Sequence, residues 1–317
     1  MRQRLSLSVL NFSLALALAG AAHAEALITE FSATLNSTTN GKPQAIAATI
    51  IKPLGTGPYP GVVIAHDCSG LGPRSSGAPR RWGNFLAGEG YAVIFADSFT
   101  PRGFPDGVCT TATAGAGATL RFILPIARAI DEFAALDYLR EQPFIDKAHI
   151  GLMGGSHGGS TTLATMVDAA NPLSPAPRAP GSGFTAAIAL YPGCGARYPG
   201  WNVEREYGDH GPITRYLGLY KPAAPLLILI GEKDDWTPAD QCEALTKAAQ
   251  AAGYPIAIKV YPGAFHSFDS AFPPRYVAQR RNANAPSGHG ATTGGDFAAW
   301  EDAKRQVSQF FARYLKD

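Results

Sequence analysis

The stretch IGLMGGSHGGS, Ile150–Ser160, holds serine and histidine among five glycines directly after an apolar run. Glycine is poor in strand and helix interiors because it loses the most conformational freedom on folding. So many together point to a backbone forced along a tight, crowded path. Gly154, Ser156 and Gly158 fit G-x-S-x-G, the pattern of a sharp strand-to-helix corner that lifts a serine hydroxyl clear of a sheet. Such a hydroxyl is a weak nucleophile until a base removes its proton during attack. Histidine suits that role, because its pKa lies near operating pH. A carboxylate behind it fixes the imidazole tautomer and stabilises the imidazolium. The negative oxygen of the tetrahedral intermediate needs preorganised donors, each worth about 3–4 kcal/mol when removed. Ser156 also has a plainer reading, as the cap of the helix that follows.

These groups act together only if the chain brings them to one edge. Short, nearly continuous apolar runs, PGVVIAHD, YAVIFADSF, AHIGLMG, FTAAIALYPG, APLLILIGEKD and PIAIKVYPG, alternate with segments of helical spacing. Continuous apolar strands separated by helices mean a mostly parallel sheet covered on both faces. ALITEFSATL and QAIAATIIKP alternate enough to form an antiparallel hairpin at its N-terminal edge. The class is α/β. The stretches NPLSPAPRAPGSG and APSGHGATTGG read as surface loops. Ligands in such sheets bind at the C-terminal ends of the strands. Ser156 follows the strand AHIGLMG, Asp234 and Asp235 end LLILIG, and His266 follows the strand of IKVYPGAFHSFD. Order and placement suit a nucleophile, an acid and a base. The amide of His157, after the nucleophile, is the expected oxyanion donor. The second is expected in HDCSG, at the amide of Cys68.

The chain has 317 residues, 46% apolar and 16% charged, which is globular composition. Residues 1–24 read as a secretory signal peptide: a basic MRQR, an apolar run and Ala22-His23-Ala24 as the cleavage site. Residues 25–317 are then one domain, exported to the periplasm or beyond. Removing Arg2 and Arg4 takes the basic residues from 27 to 25, equal to the 25 acidic ones. A neutral chain without a basic run gives no case for nucleic acid. Nothing in the mature chain approaches the roughly 18 apolar residues of a membrane span.

Cys68, Cys109, Cys194 and Cys242 are an even number in an exported chain, so disulfides are expected. Their spacing is too wide for a zinc knuckle, and no metal or other cofactor is expected. Three pairings are open. Cys68 and Cys109 lie beyond strands expected to be neighbours, and Cys194 and Cys242 flank another such pair, which favours Cys68–Cys109 and Cys194–Cys242.

The segments VVIAHDCSG, GLMGGSHGG, ILIGEKDDWTP and VYPGAFHSFD, in register, resemble the dienelactone hydrolase family of α/β-hydrolases. The resemblance runs from roughly Ile28 to the terminal helix. It implies an α/β-hydrolase fold, catalytic Ser156, Asp234 and His266, and oxyanion amides from Cys68 and His157. It puts the acid three residues beyond Gly231 and four before Pro238, hence at Asp234. Asp235 is then a neighbour that caps the helix opening near Pro238. The namesake enzymes differ in having a cysteine nucleophile, glutamate where Asp67 stands and no export signal. The serine makes this chain look like the family's esterase-type members, acting on small esters or lactones. Arg102, in SFTPRG, is placed either to bind a substrate carboxylate or as an ordinary surface arginine. Trp236 and Phe265 flank the acid and base and are candidates to wall an acyl pocket. The same triad serves thioesterases, acetyl esterases and dipeptidase-like hydrolases, and the scaffold also serves non-catalytic binders.

Overall fold

A computed structural model of the protein describes residues 28–39, 41–109, 121, 123–168, 174, 176, 178–179, 181–208 and 211–317. The expected leader, residues 1–24, lies outside the described residues, as do six of the thirteen residues of NPLSPAPRAPGSG. In chain order the elements are β1 (Ile28–Ser37), β2 (Gln44–Pro53), β3 (Tyr59–Ala65), α1 (Ala78–Gly88), β4 (Ala92–Ala96), α2 (Pro125–Glu141), β5 (Ile145–Gly155) and α3 (His157–Thr165). There follow β6 (Ala187–Leu190), β7 (Trp201–Gly208), β8 (Gly211–Gly218), β9 (Leu226–Gly231), α4 (Ala239–Ala251), β10 (Ile256–Tyr261), β11 (Arg275–Arg281), β12 (His289–Thr293) and α5 (Phe297–Leu315).

Eight strands form one sheet in the order β1-β2-β4-β3-β5-β6-β9-β10. β1 and β2 pair antiparallel, as does β2 with β4, and every pair from β4 to β10 is parallel. This is the α/β-hydrolase arrangement. Every residue of β4, β6 and β9 is buried, because helices cover both faces and leave no polar side to the strand. The edge strand β1 instead alternates between exposed and more buried positions. Trp82 of α1 meets Trp300 of α5 edge to face at 4.5 Å, which joins those two helices. Phe311 and Leu315 of α5 close over Gly151 in the central strand β5. No helix among the described residues is long and apolar enough to cross a membrane.

Two hairpins go beyond the sequence reading. β7 and β8 pair antiparallel between β6 and β9, and β11 pairs with β12 after β10. β12 falls within APSGHGATTGG, expected to be only a loop. Its strand RYVAQRR and its partner HGATT carry too few apolar residues for period-2 patterning to stand out.

Both disulfides join as expected, Cys68 to Cys109 and Cys194 to Cys242. Cys242 lies in α4, so the second bridge ties that helix to the loop after β6 across a separation of 48 residues. A cross-link of this kind acts chiefly by limiting the unfolded chain. Replacing both Cys194 and Cys242 with serine should therefore lower stability by about 2–4 kcal/mol. Chemical denaturation checks this, and an unchanged midpoint would contradict it.

Candidate active site

The strand order brings the ends of β3, β5, β9 and β10 to one edge of the sheet. Ser156 stands between β5 and α3 with φ 55° and ψ −116°, a left-sided conformation that a non-glycine residue adopts only at some cost. The surrounding glycines make the corner possible. A Cβ at Gly158 would lie 2.0 Å from the Ala65 carbonyl oxygen, and one at Gly154 would lie 2.4 Å from that of Gly158. Ser156 occupies the N-cap position of α3, yet its side chain caps nothing. Its hydroxyl instead lies 2.9 Å from His266 Nε2.

His266 Nδ1 lies 2.7 Å from Asp234 Oδ2, and Asp234 is held in turn. Its Oδ1 accepts the backbone N–H groups of Trp236 (3.0 Å) and Thr237 (2.7 Å), and the Thr237 hydroxyl donates to Oδ2 at 2.9 Å. Lys233 N–H bonds the Ala264 carbonyl at 2.9 Å, tying the acid's loop to the histidine's. His266 is 0% exposed, Asp234 3% and Ser156 8%, so this chain of hydrogen bonds is shielded from water except at the hydroxyl. With Nδ1–H held by the carboxylate, Nε2 is free to take the serine proton. The site needs no bound ion for that step.

Around it stand residues that sequence reasoning missed. Tyr191 lies 4.8 Å from the His266 ring, ring to ring, and its hydroxyl donates to Asp269 Oδ1 at 2.7 Å. Trp82 Nε1 donates to the other oxygen of Asp269 at 2.7 Å. Burial pushes the Asp269 carboxyl up, and these two bonds pull against it. Thr237, within WTP, carried no motif signal beyond its place before a proline.

Behind the serine is a second buried cluster. Arg128 Nη1 donates to the His66 carbonyl at 3.0 Å and to His157 Nδ1 at 2.8 Å. Burial, helped by the Arg128 charge, holds both His66 and His157 well below the usual histidine range, so both rings are neutral. Glu132 lies 3.8 Å from Arg128, and burial pushes its carboxyl up to about 8.

The remaining expectations sort clearly. The loop HDCSG follows β3 beside the elbow, which places the Cys68 and His157 amides on adjoining segments. Asp67 organises that loop: it accepts the Ser69 N–H at 2.7 Å and the Ser69 and Ser76 hydroxyls. Trp236 lies 4.8 Å from the His266 ring, whereas Phe265 is half-buried and outside the ring pair beside it. Arg102 is a correction. It is buried, with Nη1 and Nη2 bonded to both oxygens of Asp131 and Nε to Gln44, so no donor faces a substrate. Asp235 is a second correction. It faces away from His266 as expected, but it binds Thr292 of β12 through N–H (2.8 Å) and hydroxyl (2.9 Å) and does not cap α4.

A cleft of about 560 Å³ opens beside the loop of Asp67, with Arg81, Arg275 and Arg280 on its walls. Arg81 donates from Nη1 to the Ser76 carbonyl and from Nη2 to the Asp269 carbonyl, and its Nε makes no hydrogen bond among the described residues. Arg280 stacks 4.6 Å over the Trp236 ring, and its Nε has no hydrogen-bond partner among the described residues.

Comparison with known proteins supports the same family as the four motifs. The model of the dienelactone hydrolase family matches residues 46–315. The uncharacterised peptidase YuxL of Bacillus subtilis is 26% identical over 204 residues, covering 62% of this chain and 29% of its own length. The chain thus spans less than a third of that relative. Among solved structures, the dienelactone hydrolase-like promiscuous phosphotriesterase P91 from metagenomic libraries has a TM-score of 0.56 at 18% identity, over 90% of this chain and 99% of its own. Esterase 2 of Thermogutta terrifontis has a TM-score of 0.57 at 16% identity, over 90% of this chain and 94% of its own. At such identities these two show the fold.

The two carboxylates of this loop should separate by experiment. Asp234→Asn should slow labelling of Ser156 by a fluorophosphonate about ten-thousand-fold, because the amide imposes the wrong imidazole tautomer. Asp235→Asn should leave labelling within about tenfold and lower stability by about 1–2 kcal/mol through its lost bonds to Thr292. Labelling rates and melting curves check both, and the reverse pattern would move the acid by one residue.

Proposed function

Since the chain belongs to the dienelactone hydrolase family, its chemistry is that of a hydrolase, and we propose that it cleaves small carboxylic esters or lactones through an acyl-enzyme on Ser156. One observation carries the reading: the unbroken hydrogen-bond sequence Ser156–His266–Asp234, buried behind its hydroxyl at the sheet edge. In this reading Ser156 Oγ attacks the carbonyl while His266 Nε2 takes its proton. Asp234 holds the imidazolium, and the Cys68 and His157 amides receive the negative oxygen. The intermediate collapses as His266 returns the proton to the leaving alcohol. Water, activated by the same imidazole, then releases the acid. A binder or scaffold has no use for this constellation. Residues 25–317 form the catalytic domain, and the two disulfides support export after removal of residues 1–24.

A peptidase reading has its own support in the similarity to the Bacillus peptidase. A panel of p-nitrophenyl esters of rising acyl length, a dienelactone, and aminoacyl p-nitroanilides separates the two. The ester reading expects ester turnover, loss of about a million-fold in Ser156→Ala, and anilide turnover far below it. Anilides cleaved as fast as esters would favour the peptidase, and no turnover or labelling at all would favour a binder.

The cleft adds a substrate preference. Arg280 lines the cleft and stands on the Trp236 ring that borders His266, which suits an acid-bearing substrate. A charged hydrogen bond is worth about 1.5–3 kcal/mol, so Arg280→Ala should raise KM for esters carrying a free carboxylate by about 10- to 100-fold. Neutral esters of equal size should be affected by less than about twofold. Equal effects on both would remove Arg280 from recognition.

A further inference from the structure

The buried cluster behind the elbow is unused by the chemistry described so far. Arg128 rises from α2 with its side chain wholly buried, and Nη1 alone makes its hydrogen bonds among the described residues; Nε and Nη2 make none. Such a guanidinium is expensive to keep, since its burial leaves donors without partners. Its ion pair with Glu132, Nη2 to Oε1, is long at 3.8 Å. What the arginine provides is a connection. One nitrogen reaches the His66 carbonyl, two residues before Cys68, and the ring of His157, directly after Ser156. Those are the two segments whose amides face the developing oxyanion in the proposed mechanism. Because a guanidinium only donates, His157 Nδ1 is an acceptor, and its ring is the Nε2–H tautomer. The Phe99 ring lies 5.0 Å beneath the guanidinium and 5.5 Å from the His157 ring, closing the cluster from below.

The neighbouring peptide planes show what this connection controls. His66 Nε2 lies 3.2 Å from the Ser98 N–H, which must donate, so Nδ1 carries the ring proton. Nδ1–H then donates to the Asp67 carbonyl at 2.8 Å. A trans peptide is planar with its C=O and N–H on opposite sides. Holding the Asp67 carbonyl toward the His66 ring therefore turns the Cys68 N–H the other way. On the second segment, the Ser156 carbonyl accepts the Ser160 N–H at 2.8 Å, which turns the His157 N–H outward from the start of α3. Each amide has its own orienting bond. Arg128 Nη1 bonds both segments.

We propose that Arg128 is a positioning residue for the oxyanion amides, fixing the separation of the Cys68 and His157 peptides by holding the His66 carbonyl and the His157 ring from one nitrogen. This rests on the serine hydrolase reading. His66 serves the same end by aiming the Cys68 amide. Neither side chain touches substrate.

The test compares Arg128→Met, Arg128→Lys, His66→Ala and His66→Asn with the parent. Kinetics with p-nitrophenyl acetate are normalised to sites titrated by a fluorophosphonate, so unfolded protein is not counted. A boronic acid, whose tetrahedral adduct places an oxygen on the oxyanion donors, reports affinity for that geometry. Arg128→Met should lower kcat per titrated site by about 100-fold and weaken the boronate in parallel, with KM within about twofold. His66→Ala should do the same, and His66→Asn, whose amide N–H can still reach the Asp67 carbonyl, should recover at least about tenfold. Should Arg128→Met fail to fold, Arg128→Lys and the His66 pair give the same readout. Parental kcat per titrated site in the variants, or equal weakening of KM and boronate, would overturn the proposal alone. A parent that neither labels at Ser156 nor turns over any ester would overturn the hydrolase reading and the proposal with it.

Discussion

The whole site depends on how closely the first turn of α3 approaches the end of β3. Gly158 sits so near the Ala65 carbonyl that any side chain there would overlap it. β3 and β5 are parallel neighbours, so the loops that follow them leave the sheet side by side. Only the missing side chain lets them come so close. That contact also holds Ser156 in its costly backbone conformation, together with the bond from its N–H to the Leu190 carbonyl at 2.9 Å. A strained residue of this kind, costing about 1–3 kcal/mol, persists where its surroundings over-determine it. Here three strand ends and one helix do so.

Much of this was legible in the sequence because its signals are local and ordered. Gly154, Ser156 and Gly158 announce a corner within five positions, and the strands before Asp234 and His266 are apolar enough to locate both residues at strand ends. The parallel sheet followed from the same runs. What was hidden depends on distant partners. Arg102 looks like a ligand-binding arginine from its place after β4, but Asp131 arrives from the buried face of α2 to claim it. That helix carries Arg128, Asp131 and Glu132 inward, against the rule that buried faces are apolar, and no periodicity reveals it.

Asp235 shows the same limit on a smaller scale. Its spacing before α4 suits a helix cap, yet the hairpin β11–β12 returns from 57 residues further on to take its carboxylate. Asn282, in the turn region of that hairpin, donates to the Asp235 carbonyl at 2.8 Å, and Asn284 donates to the Trp236 carbonyl at 2.7 Å. The hairpin is thus a buttress for the acid's loop. It holds Trp236 and the acid beside the imidazole, while Arg280, on the same hairpin, reaches over the indole.

The Cys68–Cys109 bridge sets a condition on where such a molecule is competent. Cys68 lies in the segment whose amide the proposed mechanism uses, and its partner is 41 residues away, beyond β4. Thiols stay reduced in the compartment where bacterial and eukaryotic chains are made. A copy retained there would still assemble its sheet, since none of the strand pairings involves a cysteine. Its HDCSG loop would lack this covalent anchor. Under the export proposed above, oxidation would work as a geographical licence, completing the loop only outside the cell interior.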